Sequence, residues 1–73
     1  MAVQIVMDRT GDTRHEFDPA DAVSLAEAER RFQQLMRAGF TAAVRTGEAR
    51  AECIRNFDAS ADETLFFPRL QGG

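Results

Sequence analysis

ETLFFPRLQGG, residues 63 to 73, decides how the rest of the chain must be arranged. ETLFF, 63 to 67, reads as a short strand, and Pro68 has no amide to donate, so regular pairing should end there. The last residues leave the fold directly from that strand and finish on Gly72-Gly73. Glycine adds nothing to a core and loses the most backbone freedom on ordering, so the value of such a tail lies in what it permits. It is thin and unhindered at the last carbonyl, suited to threading a narrow channel and presenting a carboxylate. A frayed terminus is the bland alternative.

Upstream, VQIVMD at 3 to 8 sets Val3, Ile5 and Met7 on one side of an extended chain and Gln4, Val6 and Asp8 on the other. The first of these tracks is expected to be the buried one. RTGD at 9 to 12 supplies a turn in which Gly11 can take a positive φ, and TRHEF at 13 to 17 returns as an antiparallel partner. Asp18 and Pro19 then change the period: Asp18 is the expected cap, Pro19 suits the first helical position, and Asp21 favours the helix dipole. Leu25, Ala28, Phe32, Leu35 and Met36 recur at helical spacing, which predicts one amphipathic helix from about 19 to 38. Gly39 stops it, with Phe40 placed to fold back on Leu35.

TAAVRT at 41 to 46, a turn at Gly47-Glu48, and ARAECIRNF at 49 to 57 predict a second hairpin. Its turn, RTGEAR, nearly copies RTGDTR at 9 to 14, the mark of either a faint internal duplication or, more simply, common hairpin grammar. DASADE at 58 to 63 predicts one helical turn with Ser60 and Glu63 as a capping box. Hairpin, helix, hairpin, turn and strand together predict an α+β domain, a mixed sheet of about five strands packed on one helix. If the last strand inserts in parallel beside the first, the fold is a β-grasp and the tail projects from the centre of the sheet. The expected division is a folded domain over 1–68 and a flexible tail over 69–73.

Here the chain resembles ubiquitin and its bacterial relatives. VQIVMDRTGDT resembles the family's first hairpin, FDPADAVSL its acid-Pro helix entry, and ETLFFPRLQGG its last strand and tail. Arg69, Leu70, Gly72 and Gly73 match the family's R-L-x-G-G, while Gln71 departs from the arginine of ubiquitin itself. The resemblance implies a modifier that is not itself an enzyme and needs no cofactor of its own. An adenylating enzyme would use ATP to activate the Gly73 carboxylate, and a conjugating enzyme, a deconjugating peptidase and target proteins would complete its partners. The same Gly-Gly ending belongs to the sulfur carriers of thiamin and molybdopterin synthesis, so a terminal thiocarboxylate is the alternative product. A plain interaction module is a third.

Strand parity bears on the partner-binding surface. If Leu65 and Phe67 face the helix, Phe66 points the other way and joins Val6, Ala43 and Ile54 in an exposed patch; with the opposite parity Phe66 is core. The first arrangement sets the expected partner-binding residues as Arg69, Leu70, Phe66, Val6 and Ile54, with Gly72 and Gly73 as the activated end.

Composition narrows the field further. With 73 residues, 44% apolar and 29% charged, the chain suits one folded domain with little room for a deep active site. A net charge of −3 with scattered arginines argues against nucleic acid as a partner. No apolar run approaches the roughly 20 residues of a membrane span, and no signal peptide is evident, so a cytoplasmic protein, monomeric until conjugated, is expected. A lone Cys53 and a lone His15 build neither a disulfide nor a familiar zinc site. All nine basic residues are arginine and none is lysine, in step with an alanine-rich, codon-biased composition.

Overall fold

The computed structural model describes residues 1–45 and 50–69. Five strands and one helix run in the order β1 (Ala2–Asp8), β2 (Gly11–Phe17), α1 (Ala22–Arg37), β3 (Phe40–Arg45), β4 (Ala51–Ile54) and β5 (Glu63–Pro68). The strands form one mixed sheet in the order β2-β1-β5-β3-β4. β5 lies parallel to β1, with Ile5 beside Leu65 and Val6 beside Phe66, and antiparallel to β3, with Ala43 beside Leu65 and Phe40 beside Pro68. The last strand is thus the middle of the sheet, and the helix covers one face. This is the ubiquitin-like β-grasp.

Each turn has a local cause. At the β1–β2 corner the Asp8 carboxylate accepts from the Thr10 amide at 2.8 Å and the Thr10 hydroxyl at 2.6 Å. Gly11 then takes φ +125°, a region that side chains disfavour. Asp18 does not cap the helix as expected. Its carboxylate accepts from the Ala20 amide at 2.9 Å and its carbonyl from Asp21 at 3.0 Å, which closes a separate turn around Pro19. The helix begins three residues later, where extended Asp21 accepts from the Val23 amide at 3.3 Å. The intervening turn re-aims the chain from the edge strand onto the sheet face. At the far end the Gly39 amide donates to the Met36 carbonyl at 3.1 Å, and Gly39 takes φ +96°.

The second hairpin is shorter than the alternation implies. Its expected turn at Gly47-Glu48 lies outside the described residues, and β4 ends at Ile54. Phe57 has left the sheet to pack its ring against Phe17 at 6.2 Å and Phe32 at 5.8 Å, joining the two halves of the core. Residues 58 to 62 form a turn rather than a turn of helix: Asp58 accepts from both the amide and the hydroxyl of Ser60, at 2.9 and 2.6 Å. The Ser60–Glu63 box is not made, because Glu63 already belongs to β5 and binds Arg45 at 2.6 Å.

Beneath the helix, Ala28 and Phe32 are fully buried against Ala2, Phe17, Val6, Ala42 and Phe66, with Leu25, Leu35, Met36 and Phe40 around them. The helix-facing track of β1 is therefore Ala2, Gln4 and Val6, the reverse of the expectation. Gln4 can occupy it because both ends of its amide are satisfied. Nε2 donates to the Ala28 carbonyl at 3.0 Å, and Oε1 accepts from Arg31 Nη1 at 2.8 Å. A buried amide left without partners would cost roughly 1–3 kcal/mol, so these two bonds are what permit the parity.

Candidate functional site

Three features meet where the tail leaves the domain. β5 is hydrogen-bonded on both sides, so the base of the tail is fixed by the best-anchored strand. Pro68 and Arg69 are exposed at its end, while Leu70, Gln71, Gly72 and Gly73 lie outside the described residues.

The sheet parity redistributes the expected partner-binding residues. Phe66 is 0% exposed, its ring edge-on to Phe32 at 5.7 Å, and Val6 belongs to the same buried cluster. Ile54 is half-buried against that cluster too. None of the three forms an exposed patch, and Ala43, expected beside them, points to the opposite face next to Leu65. The reason is the pleat: Leu65 and Phe67 alternate with Phe66, so seating Phe66 against Phe32 turns both of them to the other face.

The face turned away from the helix carries what that assignment missed. Across it, Arg14, Ile5, Leu65, Ala43 and Cys53 lie in one row, each beside its neighbour in the adjacent strand. Val3, Met7 and Phe67 extend the row along the strands, and all three are half-buried with no helix above them. Ile5 and Ala43 are nearly covered by these larger neighbours. Glu63 and Arg45 form an ion pair at one margin, with Arg14, Glu16 and Asp12 exposed along the β2 edge. The result is an apolar strip with a charged rim, the anatomy of a protein-binding surface. The all-apolar track Val3, Ile5 and Met7 was its sequence signal, read as core.

At the same end as the tail, a groove of about 380 Å³ opens beside the start of β3. Its floor includes Met36, Phe40 and Ile54, and Arg55 and Arg69 line it with Cys53 and Thr41. A second hollow, lined by Ala38, Gly39, Phe40, Pro68 and Arg69, continues it toward the tail.

The groups whose titration is shifted lie elsewhere. The Thr10 hydroxyl and amide hold the Asp8 carboxyl below its usual range, and the Ser60 hydroxyl and amide do the same for Asp58. His15, beside Gln4 in the β1–β2 pairing, is pushed down first by burial and then by the Arg31 charge. Cys53 is an exposed free thiol. Among the described residues no three of His, Cys, Asp and Glu gather into a metal site, and no helix is long and apolar enough to cross a membrane.

No protein-family model, no curated protein and no solved structure matches the chain. What fold and site define together is a class: a small β-grasp domain with an uncovered apolar sheet face and an arginine-lined groove at the foot of its tail.

Proposed function

We propose that the chain is a ubiquitin-like protein modifier, activated at the Gly73 carboxylate by an adenylating enzyme in the cytoplasm and conjugated to amines on target proteins. The observation that carries this reading is the exit of R-L-x-G-G from the central strand of a β-grasp sheet. A carboxylate is a poor electrophile. Attack of its oxygen on the α-phosphorus of ATP gives an acyl-adenylate and releases pyrophosphate. A partner thiolate then displaces AMP to form a thioester, and a neutral amine displaces that thiol, losing a proton, to leave an amide. The chemistry belongs to the partners; this chain contributes an accessible carboxylate on a rigid base and surfaces to recognise. Arg69 suits bidentate pairing with a partner carboxylate, and Leu70 offers an apolar anchor.

Deleting Gly73 is the direct test. Incubated with its adenylating enzyme, ATP and target proteins, the shortened chain should keep its fold and form no conjugates; full conjugation by it would overturn the reading. The Gly-Gly ending, which sulfur carriers share, keeps the sulfur-carrier reading beside this one. Intact mass after co-expression with the adenylating enzyme separates them: replacement of one oxygen by sulfur marks the carrier, and glycine-linked adducts on other proteins mark the modifier.

A further inference from the structure

The groove at the foot of the tail is built for more than an exit. Its two hollows share Gly39, Phe40 and Arg69, so they form one channel crossing the start of β3 from Pro68 to Arg55. β3 lies between β5 and β4, which puts Arg69 and Arg55 on opposite sides of it, two strand spacings across and two residues along, or ~12 Å apart at the backbone. Between them the floor is apolar, from the half-buried side chains of Met36, Phe40 and Ile54.

Charge decides what such a channel accepts. Among the described residues the ion pair found is Arg45–Glu63, on the sheet margin away from this end, so neither Arg55 nor Arg69 has an acidic partner there. Arg37, in the last helical turn, adds a third guanidinium nearby. Asp8 and Asp12 belong to this end of the sheet too, but at the β1–β2 corner, with β5 between them and the groove. The acidic residues Asp18, Asp21, Asp58, Asp62 and Glu63 cluster at the opposite end, where β5 begins. A domain of net charge −3 thus keeps an arginine-flanked apolar channel at its tail end.

We propose that this channel binds an extended acidic-apolar segment of a protein partner, two carboxylates clamped by Arg55 and Arg69 around apolar side chains seated on Met36, Phe40 and Ile54. In an extended or polyproline-like chain, residues i and i+3 are about 10 Å apart, within side-chain reach of two arginines whose backbones lie ~12 Å apart, and two residues are left for the floor. Docking there uses none of the chemistry of the Gly73 carboxylate, so its failure leaves the modifier reading intact.

The test uses the full 73-residue chain and the acetylated, amidated tetrapeptide Glu-Leu-Leu-Glu, with Gln-Leu-Leu-Gln as control, monitored by amide chemical shifts. The acidic peptide should shift Phe40, Thr41, Ile54, Arg55 and Arg69 and spare the β2 edge. Its binding should weaken as salt rises, since exposed pairs are screened beyond roughly 10 Å at 0.1 M. Arg55→Gln and Arg69→Gln, both at exposed positions and leaving the fold intact, should each weaken it by roughly two- to fivefold. Equal binding of the two peptides, or binding unchanged in both variants, would overturn the proposal. So would shifts at these amides that respond to Leu70→Ala without peptide, which would assign the channel to the chain's own tail, or shifts that grow with protein concentration alone, which would assign it to a second copy.

Discussion

Phe66 and Phe67 are neighbours in one strand, and the structure gives them opposite fates. Phe66 is fully enclosed by Phe32, Val6 and Ala42, so Phe66→Ala should leave a cavity and cost about 3–5 kcal/mol. Phe67 is half-buried on the uncovered face, where water can fill the space it vacates. Its replacement by Ala should forfeit only part of a phenylalanine's burial, roughly 1 kcal/mol. A domain of 73 residues has about 4–11 kcal/mol in total, so the first change should bring it close to unfolding at 25 °C while the second should not. With no Trp or Tyr in the chain, far-UV circular dichroism in urea is the suitable probe. At a slope of about 1 kcal/mol per molar, the two midpoints should differ by roughly 2–4 M. Equal midpoints, or a lower one for Phe67→Ala, would show that the parity assigned to β5 is wrong.

Other expectations are as direct. Gly39 holds φ +96° with no atom within 4 Å of where a side chain would begin, so Gly39→Ala should cost only the backbone term, roughly 1–2 kcal/mol, read as a lower thermal midpoint. The folded-state pKa of His15 is depressed, so the unfolded chain binds the extra proton first. Stability should therefore fall as pH drops below roughly 6.5 toward the lowered value, and denaturation curves of His15→Gln should lose that dependence. The 73-residue polypeptide has no lysine, and arginine stays protonated, so its one primary amine is the α-amino group beside Met1, which is 79% exposed. In a reconstituted conjugation reaction, acetylating that group should abolish self-linked copies; amide-joined copies persisting afterwards on mass spectrometry would refute this.

Element order was readable because each boundary carries its own chemistry: Gly11 and Gly39 where φ must be positive, Pro68 where pairing stops, the helical recurrence of Ala28 and Phe32. Which side of each strand meets the helix was not. Alternation defines two tracks in β1 without ranking them, and hydrophobicity alone favours Val3, Ile5 and Met7 over a track containing Gln4. The preference is reversed by partners distant in sequence, Ala28 and Arg31, that no local pattern reveals. Two neighbouring acids competed for the helix cap, and Asp21 took it because Asp18 was engaged in its own turn. The groove was invisible for a similar reason. Arg55 and Arg69 are far apart in the chain and meet only because β3 comes between their strands.

The parallel pairing of β1 with β5 has a mechanical consequence. The two strands run side by side in one direction, so the start of β1 and the end of β5 are at opposite ends of the sheet. A pull between the amino terminus and an anchored tail would act along both strands at once. It would load the hydrogen bonds of Val3 through Val6 with Glu63 through Phe66 together, in shear, rather than peel them singly. Under tension this domain should hold as a clamp and yield in one abrupt step, and the strand that bears the load is the one that leads directly into the tail.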